Sequence, residues 1–192
     1  MTAFRLVRVG TALAVLATAG CNLFSTRDAE PPEGGRNTWE TPREPADVLD
    51  NMRVALSERD AVNYLRSFEP SSFRFEADPL AVSHDPFLAE WGYDEESQHV
   101  TRLFSEGTLP RDSVLSLVFL SADVTILGDS ALIHAGYELT AGVVLAGVPH
   151  RVSGTADFRL RIGEGAYWQI YYWRDTRTED EATWSDFKSL VR

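Results

Sequence analysis

Two hydrophobic periods divide the chain. Up to about residue 106 apolar side chains recur at helical spacing; from residue 114 they alternate. Val48, Leu49, Met52, Ala55 and Leu56 share one helical face behind Pro45, whose fixed φ suits a first helical position. Asp60 is placed to cap a second short helix carrying Ala61, Tyr64 and Leu65. In PSSFRFEAD, Phe73 and Phe75 alternate with Arg74 and Glu76 as in a half-buried strand. A third helix is predicted over residues 94–106. Asp94 would cap it, Glu95 and Glu96 favour its positive end, and Val100, Leu103 and Phe104 form a buried stripe that Gly107 stops.

The second half reads as strands. VLSLVFLSADVTIL and SALIHAGYELTAG flank Gly128-Asp129, a pattern that predicts two long strands around a tight turn. Over residues 149–162 the alternation is cleanest. Val152, Gly154, Ala156, Phe158, Leu160 and Ile162 face one way, and Arg151, Ser153, Thr155, Asp157, Arg159 and Arg161 the other. Gly163-Glu164-Gly165 turns the chain into AYWQIYYW, bulky on both faces and therefore predicted to be central. Trp184, Phe187, Leu190 and Val191 predict a short closing helix or docked tail. Helices followed by an antiparallel meander predict an α+β domain over residues 45–192, with helices packed on one sheet face.

The first 44 residues have a different character. Arg5 and Arg8 precede an apolar stretch of about eleven residues, 9–19, that ends in small side chains. That is the three-part plan of a secretory signal over residues 1–20, and it is too short to cross a ~30 Å hydrocarbon core as a helix. Ala19, Gly20 and Cys21 resemble the lipobox of bacterial lipoproteins, with Thr18 in place of the usual leucine. The resemblance implies that Cys21 is diacylated and becomes the mature N-terminus. Cys21 is the only cysteine, so no disulfide framework is available to an exported chain. More than one acyl chain is what stable anchoring requires, and a lipidated Cys21 would meet that condition. Residues 21–44, with Pro31, Pro32, Gly34, Gly35 and Pro42 and no apolar period, read as lipidated terminus and disordered linker. Within it Trp39 is expected to fold back on the domain or the interface. Asn22 is not the aspartate that marks inner-membrane retention in some enteric bacteria, so the outer membrane is the preferred address in the cell envelope.

Charge narrows the partners. The net formal charge is −11, and −13 once Arg5 and Arg8 leave with the signal. An acidic surface repels phosphate backbones and anionic headgroups, which argues against nucleic acid and polybasic membrane docking.

The order of elements, ending in the aromatic strand YWQIYYWRD, resembles the nuclear-transport-factor-2-like (NTF2-like, cystatin-related) superfamily. The resemblance covers residues 45–192 and implies a strongly curved sheet wrapping helices into a cone. Members of that superfamily include isomerases, dehydratases, ligand binders and assembly modules, so the fold alone does not choose among them.

The search for chemistry returns few candidates. The sequence has no Gly-x-Ser-x-Gly, phosphate-loop, dinucleotide or His-Glu-x-x-His motif, and GEGAYW at 163–168 reads as a turn. His134 and Glu138 share a strand face but stand ~13 Å apart, too far to clamp one zinc together. His99, a turn after Glu95, is expected on a helix surface; His84 belongs to a loop or cap and His150 to an exposed turn. No metal or cofactor is expected. Tyr64, Tyr137, Glu138, Asp157, Tyr172 and Asp123 are conceivable acids or donors, and Tyr64, Tyr137, Trp168 and Tyr172 are candidates to line a cavity, with ordinary core packing as the alternative. Three functions fit: a membrane-tethered, non-catalytic module binding a small apolar ligand or another envelope protein; a cavity enzyme of isomerase or hydrolase type; or an assembly module dimerising through its sheet. The missing motifs favour the first and third.

Overall fold

A computed structural model describes residues 38–192. The expected signal over residues 1–20, the lipidation site Cys21 and the linker through residue 37 lie outside the described residues.

Eleven segments of regular structure follow in order. They are α1 (Pro45–Glu58), α2 (Ala61–Leu65), β1 (Arg74–Glu76), α3 (Pro79–His84), a 3-10 turn (Pro86–Glu90), α4 (Tyr93–Leu103), β2 (Leu115–Leu127), β3 (Ser130–Ala141), β4 (Arg151–Ile162), β5 (Trp168–Thr176) and α5 (Trp184–Leu190). The five strands form one sheet in the order β1-β5-β4-β3-β2. From β2 to β5 it is an antiparallel meander; β1 alone is parallel, pairing three residues with β5. β5 therefore has neighbours on both sides, as its two bulky faces require. Register shifts at Leu120 in β2 and at Tyr171 in β5, opposite Arg159 and Leu160, mark bulges, which bend the strands that contain them and curve the sheet.

The alternation of β4 is realised: Val152, Gly154, Ala156, Phe158 and Leu160 are buried under the helices. Ile162 keeps the phase but is exposed, at the end of the strand. Gly154 is a point of close approach. A Cβ there would stand 2.7 Å from the carbonyl of Thr176 and 2.8 Å from the hydroxyl of Tyr137.

The helical half shows three differences from expectation. Gly92, not Asp94, caps α4, because the Glu95 carboxylate one turn on accepts the Gly92 N–H at 3.0 Å. Two further helical turns precede it. In each, an aspartate before proline serves as cap: Asp78 accepts from Leu80 at 3.0 Å, and Asp85 from Phe87 at 3.3 Å. The linker also gives up its last seven residues, 38–44, to the domain. Asn51 exchanges hydrogen bonds with the backbone of Glu40 at 2.6 and 3.1 Å, and Trp168 donates from its backbone to Pro42 and from Nε1 to Arg43. Trp39 folds back onto the edge of Tyr167, 5.5 Å between centroids, under the guanidinium of Arg66.

Between helices and sheet lies an aromatic core centred on Trp173. Trp184, Phe75 and Phe158 meet it at centroid distances of 4.6, 4.9 and 5.3 Å. Aromatic rings bury large areas and so contribute strongly to the order of the domain.

Candidate functional site

The four residues singled out as cavity lining are not brought together. Tyr64, Tyr137 and Trp168 lie on the helix side in separate contacts, while Tyr172 points from the opposite face. Trp168 is occupied by the 38–44 segment, as described.

Tyr64 donates to Glu96 Oε1 at 2.7 Å. Trp91 Nε1 donates to Glu96 Oε2 at 2.8 Å, and the Lys188 ammonium from α5 reaches the same oxygen. Glu96 and Lys188 are both fully buried. The ammonium sits over Phe75, Trp173 and Trp91 at 4.4, 4.5 and 5.1 Å, an aromatic cage closed by a carboxylate. Burial alone would raise the Glu96 carboxyl, but Lys188, His99 and the donors around it bring it below its ordinary value. Burial pulls Lys188 down while Glu96 pulls it back up, and the net direction is down. With three donors converging on Glu96, the carboxylate is the charged partner that defines the cluster. Burial, then the charge of Glu96, pushes the Tyr64 phenol well up.

His99 corrects the expectation of a surface position. It is buried, its Nδ1 faces the Val191 carbonyl at 2.5 Å, and burial followed by the nearby Lys188 charge lowers it to about 4. Because α4 presents His99 on the same side as Val100 and Leu103, the imidazole reads α5 rather than solvent.

Tyr137 donates to Asp175 Oδ1 at 2.6 Å and accepts the Trp184 N–H at 2.8 Å. Ser185 donates its N–H and Oγ to Asp175 Oδ2 at 2.8 and 2.5 Å. Burial raises both the Tyr137 phenol and the Asp175 carboxyl. Each of these groups is spent on holding α5. None is presented to a space where a substrate could stand.

The other sheet face is different. Strand register sets Asp123, His134, Asp157, Arg174 and Glu76 in one row across all five strands. The next row is Thr125, Leu132, Arg159, Tyr172 and Arg74. Between β2 and β5 these rows line a shallow groove of about 310 Å³. Inside it His134 Nδ1 lies 2.7 Å from Asp157 Oδ1, which fixes Nδ1 as the donor. Arg174 bonds Glu76 at 3.0 Å, and Tyr172 donates to the same carboxylate. The Tyr172 bond, reinforced by Arg174, holds Glu76 below the usual carboxylate range; burial and the Glu76 bond raise Tyr172. The Arg159 guanidinium rests 4.7 Å over the Tyr172 ring. Glu138, four residues along β3 from His134, pairs instead with Arg151 at 2.5 Å.

Thus His134, Asp157, Asp123 and Tyr172, named from the sequence, do converge, though on the outer face. Arg159, Arg174, Leu132 and Thr125 complete the groove and were missed; the polar phase of β4 was the available signal for Arg159. Among the described residues no group of three or more His, Cys, Asp or Glu is arranged to hold a metal ion. No described helix is long and apolar enough to cross a membrane.

No protein-family model matches the chain, and no curated protein matches it. Solved structures do. An NTF2-like superfamily protein from Salmonella enterica serovar Typhimurium LT2 is 12% identical over 70% of this chain and 89% of its own, with a TM-score of 0.54. A conserved protein from Planctomyces limnophilus is 11% identical over 68% of this chain and 91% of its own, at 0.53. An NTF2-like protein of unknown function from Pseudomonas putida KT2440 is 17% identical over 70% and 84%, at 0.50. Identities this low speak for the fold alone: the domain has the NTF2-like α+β architecture.

Proposed function

We propose that the chain is a bacterial envelope lipoprotein, anchored through Cys21, whose NTF2-like domain binds a small ligand in the outer-face groove without transforming it. One contrast carries this reading. The buried acids Glu96 and Asp175 and the phenols of Tyr64 and Tyr137 are engaged by one another and by α5, whereas the groove holds Asp123 and Arg159 free of any hydrogen bond or ion pair among the described residues. Free, exposed polar groups beside rigidly held ones are what a binding surface needs. A cavity enzyme would instead need a desolvated acid or base facing open space.

A fragment titration tests the reading. Small polar compounds added to the full-length protein should shift backbone amide resonances of β2, β3 and β4 at the groove. Shifts confined to residues around Tyr64 and Tyr137 would transfer the site to the interior and overturn it.

Assembly through the sheet is the second reading, and one observation favours it. The edge strand β2 exposes Val118, Leu120, Val124, Ile126 and Leu127. A long apolar edge is a template for another strand.

A further inference from the structure

We infer that the groove takes a small dipolar ligand, a free peptide of about three residues, with its ammonium at Asp123 and its carboxylate at Arg159. This ligand class rests on the groove being the binding surface.

Charge and geometry set the class together. Of the two carboxylates lining the groove, Asp157 on β4 is engaged by His134, while Asp123 on β2, facing His134 across β2 and β3, makes no hydrogen bond or ion pair among the described residues. Of the two guanidinium groups lining the groove, Arg174 on β5 is engaged by Glu76, while Arg159 on β4 has only the face of Tyr172, its partner on β5. One unspent negative charge and one unspent positive charge therefore stand at opposite ends of one groove. A simple anion would enter against a chain of net charge −11, so a carboxylate is best admitted with a positive charge of its own. A simple cation would leave Arg159 unused.

Register gives the length. Asp123 and Arg159 stand two strands and two residues apart, about 12 Å between Cα atoms. Three extended residues span roughly 10–11 Å. A volume of about 310 Å³ holds a peptide of that size with small side chains. Leu132 lies between the two charged ends, opposite both Thr125 and Arg159, and is 43% exposed. It offers an apolar floor to a central side chain. His134, held by Asp157 through Nδ1, keeps its other ring nitrogen for a polar atom of the peptide. At the other end the planar Arg159 guanidinium, held over the Tyr172 ring, is suited to a two-pronged grip on a carboxylate.

The test is an amide-shift titration of the full-length protein in detergent with Ala-Leu-Ala, its N-acetyl form and its C-terminal amide. The free peptide should bind saturably with shifts along the groove, and each blocked form should bind at least tenfold more weakly. Asp123→Asn should bring the free and N-acetyl peptides within twofold, leaving the penalty for the amide. Arg159→Gln should do the reverse. Both side chains are exposed and unpaired, so an unchanged spectrum of the free variants verifies that the fold is kept. Absence of saturable binding by Ala-Leu-Ala, or blocked forms that bind as tightly as the free one, overturns the dipolar class. If other fragments still shift groove resonances, the binding surface survives that failure. If none does, both fall.

Discussion

Buried charge sets the sharpest expectations at the scale of single residues. Lys188→Ala leaves the Glu96 carboxylate buried without its cation, a loss of about 3–5 kcal/mol in urea unfolding. Replacing both partners, Lys188→Met with Glu96→Gln, should recover most of it, because the penalty comes from the orphaned charge more than from the pair. His99 adds a pH dependence. Its folded value of about 4 lies below the ordinary 6.5, so between those values the unfolded chain binds a proton that the folded chain refuses. Stability is then full above about pH 6.5 and falls as pH drops toward 4, by about 3 kcal/mol for this one group. Glu96, lowered in the fold, acts with the same sign at still lower pH. Urea midpoints at pH 7 and 4.5 measure the slope, and His99→Asn should flatten it above pH 4.5. Tyr137→Phe strips a partner from Asp175 and from the Trp184 N–H, both buried, and should cost about 1–3 kcal/mol.

Elements show why part of the fold was legible and part was not. Period alone located α1, the β2–β3 hairpin and β4, because each runs long enough for its phase to be read. A one-turn helix such as α3 has no period to show; its only trace was the pair of Asp-Pro starts at Asp78-Pro79 and Asp85-Pro86. In α5 the spacing of Trp184, Phe187 and Val191 defined the buried face correctly, and Lys188 lies on that same face at the i, i+4 position from Trp184. A charged residue is ordinarily assigned outward, since burial needs a partner, and Glu96 comes from an element 92 positions away. Leu190 was assigned inward and is exposed. The β4–β5 turn carries Ala166 at φ 55°, in the left-handed region. Ala166→Gly should raise stability by up to about 1 kcal/mol, read as a higher unfolding temperature. If the edge strand β2 mediates assembly, Leu120→Lys should shift the sedimentation coefficient to that of a monomer without lowering the unfolding midpoint.

For the molecule as a whole, the candidate site was only half visible in advance. The tight turn at Gly128-Asp129 fixes Asp123 opposite His134, because pairing counts back from Leu127 and Ser130. The connection from β3 to β4 is a longer loop, so nothing local sets His134 opposite Asp157, and the outer row emerges only once the sheet is assembled. The same distance from the local pattern separates the domain from its address. Residues 38–44 belong to the folded unit, which leaves 16 positions, 22–37, between Cys21 and the domain. The proposed anchor at Cys21 would attach the chain outside the folded unit and ask no strand or helix of the domain to enter a bilayer. Cys21→Ala should abolish fatty-acid labelling and move the protein from the membrane to the soluble fraction. Its amide spectrum and peptide affinity should stay unchanged, because no side chain of the groove comes from the anchor. Membrane retention of an unlabelled Cys21→Ala chain would place the attachment in the domain itself, with the exposed apolar residues of β2 as the first place to look.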